Sequence, residues 1–175
     1  MVNTMDILQS SVEVLGFNGQ FESFGMTDKQ RVLPVKRSEY RHFTNIQTRW
    51  ADNDVYGHVN NVVYYSWFDT AVNGYLIEQG VLDMHHGSTI GLVVQTQCDF
   101  FAPVAFPQAI TAGLRVAHLG RSSVRYEVGI FADDAPVSNA AGHFVHVIVD
   151  RVTRKSVPLP DNLKAALHAL MVHSI

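Results

Sequence analysis

Thr48-Arg49-Trp50-Ala51-Asp52-Asn53-Asp54-Val55-Tyr56-Gly57-His58-Val59-Asn60-Asn61-Val62-Val63-Tyr64-Tyr65 is the stretch on which the fold turns. Its first half is a compact polar loop. Asn60 or Asn61 can then cap a helix, because an Asn side chain accepts from an N–H that the first helical turn leaves unpaired. Apolar side chains follow at Tyr64, Tyr65, Trp67, Phe68, Ala71, Val72, Tyr75, Leu76 and Ile77, and Gly80 supplies a stop just past Gln79. Such a helix is a rod of roughly 28 Å. Only a narrow stripe near Ser66, Asp69, Thr70 and Asn73 is polar. A helix apolar on most sides needs something wrapped around it.

Working outward, the flanks read as strands. Tyr40–Trp50 leads into the loop. Beyond the helix, Ile90–Phe101, Ile110–Leu119, Val124–Phe131 and Ala140–Asp150 alternate with the period of two that half-buried antiparallel strands require. Pro103, Pro107, Gly120-Arg121 and Asp133–Pro136 punctuate them. Asp161–His173 reads as a short closing helix. The expectation is an α+β domain over residues 38–175, with a curved antiparallel sheet around one long buried helix. Residues 1–37 form an N-terminal extension in which Met5, Leu8, Val12 and Leu15 suggest a short amphipathic helix.

Composition narrows the function. The chain has 175 residues, 47% of them hydrophobic and only 17% charged, which suits one domain with a filled core. Thirteen Lys and Arg against sixteen Asp and Glu leave a net charge of −3, without the basic field that nucleic-acid binding draws on. The single cysteine, Cys98, cannot form an intrachain disulfide, and its place in a strand suits a small buried hydrophobe. No run approaches the length of a membrane span. The first basic residue is Lys29, so no signal-peptide n-region is expected. A cytoplasmic protein is the expectation.

Several chemistries compete for the polar loop. Asp52-x-Asp54-x-Tyr56-Gly57 begins like a calcium loop, but its twelfth position falls on Val63 where a bidentate Glu is needed. Nine histidines tempt toward a metal, yet none shows convergent spacing; His143 and His146 fall on opposite strand faces. No G-x-S-x-G elbow is present. Carboxylate chemistry at a helix N-terminus remains. Asp54 can fold back over the helix end, where unpaired N–H groups would polarise an acyl carbonyl as charge develops on its oxygen. Asp54 could attack that carbonyl or activate a water, with His58 orienting substrate or sharing a proton. Alternatively, Asp52, Asp54 and Asn60 simply brace a turn and cap the helix.

The quoted run resembles the signature of hotdog-fold acyl-CoA thioesterases of the 4-hydroxybenzoyl-CoA thioesterase type, a strand followed by D-x-D-x-x-G-H-V-N-N and the buried helix. Leu119-Gly120-Arg121-Ser122-Ser123 is similar, more weakly, to the family's G-x-S-S, and Asp150-Arg151 with Pro158-Leu159-Pro160 also matches. The resemblance implies that Asp54 is the nucleophile or general base and that the Asn61 backbone N–H faces the thioester carbonyl. His58 corresponds to the histidine of related plant acyl-ACP thioesterases, whose Asn position is held here by Tyr56. Asp52 looks like a brace. Tyr56 and Gly57 would meet substrate; Arg121, Ser122 and Ser123 would hold the CoA end; Tyr64, Tyr65 and Phe68 could line an acyl tunnel. The resemblance implies an acyl-CoA substrate, no cofactor, no metal, and a homodimer or homotetramer with sites across the interface. A hydratase of this fold places its His five residues beyond its Asp, whereas His58 lies four from Asp54 and six from Asp52. A non-catalytic acyl- or CoA-binding hotdog module is the other reading.

Overall fold

Asn60 is the N-cap of the long helix: its side-chain Oδ1 accepts from the Val62 N–H at 3.1 Å. Helix α1 runs Asn61–Glu78, with Gln79 as C-cap. Gly80, at φ +65°, turns the chain so that its N–H and that of Val81 satisfy the Ile77 and Leu76 carbonyls. The computed structural model describes residues 32–172. The amphipathic segment expected around Met5–Leu15 lies outside these residues.

Five strands form one antiparallel sheet, β1 His42–Gln47, β2 Thr89–Phe100, β3 Ala109–Leu119, β4 Ser123–Ala132 and β5 Ala140–Asp150, in the order β1-β3-β4-β5-β2. Alternation sends Leu114, Val116, Val124, Tyr126, Val128, Phe144 and Ile148 into the core, where they join Phe68, Ala71, Val72 and Leu76 of α1. Gly142 makes the close approach possible, since a Cβ there would lie 2.6 Å from Phe68 Cε2 and clash with the Gln97 carbonyl. Among the described residues the helix is covered on one flank, and Val62 and Ile77 remain exposed. On the opposite sheet face Tyr40 lies across the register pair Gly113 and Gly129, and the Arg37 guanidinium sits 4.6 Å over the Phe131 ring. A five-stranded antiparallel sheet laid on one long helix is the hotdog architecture expected.

Three boundaries differ from expectation by two residues or more. The first strand begins at His42 rather than Tyr40, because Tyr40 ends a 3-10 turn over Arg37–Glu39. The first strand ends at Gln47 rather than Trp50, because Trp50–Asp52 forms a 3-10 turn closed by the Asp52 carboxylate. The closing helix α2 spans Asp161–His168 and stops short of His173, which lies beyond the described residues. β1 pairs with β3 only as far as Leu114, so on that edge the Val116 N–H donates to the Leu170 carbonyl and the Val116 carbonyl accepts from the Val172 N–H. That pairing pulls the chain out of the helix.

Candidate active site

Asp52 builds the loop. Its carboxylate is 1% exposed and accepts from the Arg49 N–H at 2.7 Å and from the Arg49 guanidinium at 2.7 and 3.0 Å, while its carbonyl accepts from the Asn60 N–H at 2.8 Å. One residue therefore joins both ends of the loop. Asn53 and Val59 form an isolated antiparallel bridge, so Asp54–His58 is a tight hairpin tip, with Gly57 at φ +81°. Asn53 Oδ1 also accepts from the Phe106 N–H at 3.0 Å, and the Val59 N–H donates to the Val104 carbonyl at 2.7 Å. These ties seat the loop on the β2–β3 connection.

Asp54 is half-buried at that tip. Its Oδ1 accepts from the Tyr56 N–H at 2.8 Å and, more loosely, from the His58 N–H at 3.4 Å. Oδ2 has no partner among the described residues, so the carboxylate braces the loop with one oxygen and keeps the other available. Asn61 is the first helical residue, and its backbone N–H has no partner among the described residues, as helix geometry dictates. His58, Asn61, Tyr64, Phe100 and Pro103 share the wall of an open cavity of about 290 Å³. Tyr64 is almost fully buried, edge-on to the Phe100 ring at 5.0 Å, and burial pushes its hydroxyl up to about 12.

The other candidate residues divide. Tyr56 stands out into solvent at 83% exposure. Tyr65 is half-buried with its ring edge-on to Phe68, and Phe68 is fully buried as a packing residue over Gly142. Arg121, Ser122 and Ser123 sit at the β3–β4 turn, where the Arg121 and Ser122 carbonyls accept from Leu159 and Ile148. A polar cleft of about 240 Å³ lies between Arg121, Ser122 and Ser156–Pro158. This turn is at the Leu119 end of β3. The loop lies at the Ala109 end, where Thr48 Oγ1 donates to the Gln108 carbonyl. Within one protomer the strand's length, roughly 35 Å for 11 residues, separates them. Sequence reasoning also passed over Asn53, Phe100 and Pro103. The period-two pattern of β2 offered a signal for Phe100, whose side faces the helix; Asn53 had none beyond lying inside the loop. Among the described residues no group of three or more His, Cys, Asp or Glu is placed to hold a metal. None of their helices is long and apolar enough to cross a membrane.

Residues 48–167 match the family model described as the thioesterase-like superfamily. The chain is 57% identical to the PA5185 protein of Pseudomonas aeruginosa, with a TM-score of 0.78 over 79% of this chain and 97% of that one. It is 29% identical to the PA2801 protein of the same organism, covering 73% and 98%, with a TM-score of 0.68. A 1,4-dihydroxy-2-naphthoyl-CoA thioesterase from Synechocystis shares the fold at 21% identity, TM-score 0.66, over 72% of this chain and 94% of that one.

Proposed function

Because the chain belongs to the thioesterase-like superfamily, we propose that it hydrolyses an acyl-CoA thioester, with Asp54 as nucleophile or general base at the N-terminus of α1. The single observation that carries this reading is the pairing of an available Asp54 Oδ2 with the unpartnered Asn61 N–H on one rigid loop–helix junction. The thioester carbonyl lies against the helix end, and the N–H stabilises the oxyanion as the tetrahedral intermediate forms. Asp54 attacks the carbonyl carbon, or takes a proton from the water that does. The C–S bond then breaks and the thiolate leaves. If Asp54 attacked, water hydrolyses the resulting acyl anhydride. His58, on the same cavity wall, orients the substrate or carries a proton. The cavity's apolar wall at Tyr64 and Phe100 receives the start of the acyl group.

The active unit in this reading is at least a homodimer, working in the cytoplasm. Strand β2 is an edge strand with Leu92, Val93 and Val94 exposed, a surface that a second copy can cover. Antiparallel pairing of two β2 edges would set the Thr89 end of one copy beside the Phe100 end of the other. The Arg121–Ser123 turn of one subunit then comes toward the loop of its partner, where it can take the CoA end. Thiol release from a panel of short, long and aromatic acyl-CoAs tests the reading. Release supports hydrolysis; binding without release would show a non-catalytic module instead.

A further inference from the structure

A second cavity, of about 320 Å³, opens between the C-terminal half of α1 and the Thr89 end of β2. Asn73 and Leu76 form its helix wall, Ile90 and Gly91 its strand wall, and Leu163 of α2 closes one end. Its floor holds the two polar groups in this region that the fold leaves unsatisfied. Tyr126 is 0% exposed and His146 4% exposed, and neither Tyr126 Oη nor His146 Nε2 has a hydrogen-bond partner among the described residues. Their rings meet edge-on, with centroids 5.3 Å apart. Buried polar groups without partners are uncommon, because each forfeits its bonds to water on folding. Two together on the floor of one cavity call for a partner within it.

Gly91 keeps the space open. A Cβ there would lie 3.0 Å from His146 Nδ1, so any larger residue would press on the imidazole and fill the strand wall. Charge narrows the occupant. Among the described residues no Lys or Arg lines the cavity. Asp83, the one acidic residue that the described residues place in the lining, turns its Oδ1 to the His85 and His86 N–H groups. Burial holds the His146 imidazole below its ordinary range, with Asp69 opposing, so it stands neutral near pH 7. The phenol and the neutral imidazole can each donate or accept.

The geometry points to a ligand site for a compact, uncharged, mainly apolar group bearing one hydroxyl, which Tyr126 Oη and His146 Nε2 hold together. The volume equals that of about ten waters at ~30 Å³ each, enough for one ring or a short branched chain. The site is separate from the Asp54 loop of the same protomer. Asn73 lies some 18 Å along the helix from Asn61, and Phe68, Ala71 and Val72 are fully buried between them. Two sources share this chemistry: the distal end of an acyl group attached at a partner subunit's loop, or a free small molecule. The site itself does not depend on thioester hydrolysis, since binding is read directly.

The test is titration of the full-length protein with phenol, and with benzene as the hydroxyl-free control, followed by the His146 side-chain NMR resonances. Phenol should bind more tightly than benzene. Tyr126→Phe, which removes one unpartnered oxygen and keeps the ring, should weaken phenol about fivefold to tenfold, the size of one net hydrogen bond, and leave benzene unchanged. Gly91→Val should block both. A second arm compares kcat/KM for an aryl-acyl-CoA with and without a ring hydroxyl. A hydroxyl preference that Tyr126→Phe erases assigns the site to the acyl group; hydroxyl-dependent phenol binding without that preference assigns it to a free molecule. Phenol binding no tighter than benzene, or unaffected by Tyr126→Phe, overturns the proposal and leaves the two atoms to internal water.

Discussion

Asp52 and Asp54 stand two positions apart and have opposite surroundings. Asp52 is buried and fully engaged by Arg49 and the Asn60 N–H, whereas Asp54 spends one oxygen on the hairpin tip and holds the other free. Their substitutions should therefore separate. In Asp52→Asn the new buried amide turns a donor toward the Arg49 donors and finds no acceptor there, while the Arg49 guanidinium stays in reach of water. We expect a loss of about 1–3 kcal/mol, a fall in melting temperature of roughly 2–12 °C, and a smaller effect on kcat than on stability, read by thermal unfolding beside thiol release. The aspartate pair was legible in the sequence as a braced loop at a helix start. The family resemblance pointed to Asp52 as the brace and Asp54 as the available carboxylate; residue spacing alone left this open, because it depends on the 3-10 turn that swings Asp52 inward.

At the scale of the element, α1 depends on its cap and on its glycine-lined seat. Asn60→Ala removes the side-chain acceptor for Val62 and should cost about 1 kcal/mol, measurable by urea unfolding with unchanged slope. Gly142→Ala forces a Cβ against Phe68 and the Gln97 carbonyl and should prevent accumulation of folded protein; a well-folded Gly142→Ala variant would show that the helix seat is looser than described. The order of elements was readable because the strands alternate with a period of two, whereas α1 is a nearly continuous apolar run between an Asn cap and a Gly stop. The ends were not. Gln47 closes the first strand because the Asp52 carboxylate, bonded to Arg49 three residues earlier, folds Trp50–Asp52 into a 3-10 turn. Helix α2 stops at His168 because Leu170 and Val172 bond to Val116 on the β3 edge that β1 leaves open. The second cause leaves no local signal. The β3–β4 turn was recognised as a turn, but its separation from the loop within one protomer follows from strand length and sheet order, which a list of motifs does not contain.

At the scale of the whole molecule, two buried histidines set the acid limit. Burial holds His143 and His146 below their ordinary range, so the unfolded chain binds protons that the folded one refuses. The stability they confer is complete above the unfolded value of about 6.5 and is lost as pH falls below it. Melting temperature should therefore drop between pH 7.5 and 5, and drop less in His146→Gln. Asp83 and Asp150, held low chiefly by backbone N–H donors, matter only below about pH 4. The exposed edge of β2 should be covered by a second copy, so Val94→Lys should yield monomers in light scattering and lose activity with the dimer; an active monomer would contradict a site shared across that edge. The most direct test of the account is the rate of thiol release from acyl-CoA by Asp54→Asn, with folding and oligomeric size confirmed on the same sample. The account predicts a fall in kcat of about 10²–10⁴ with acyl-CoA binding retained; a folded variant keeping more than roughly a tenth of the wild-type rate would contradict it.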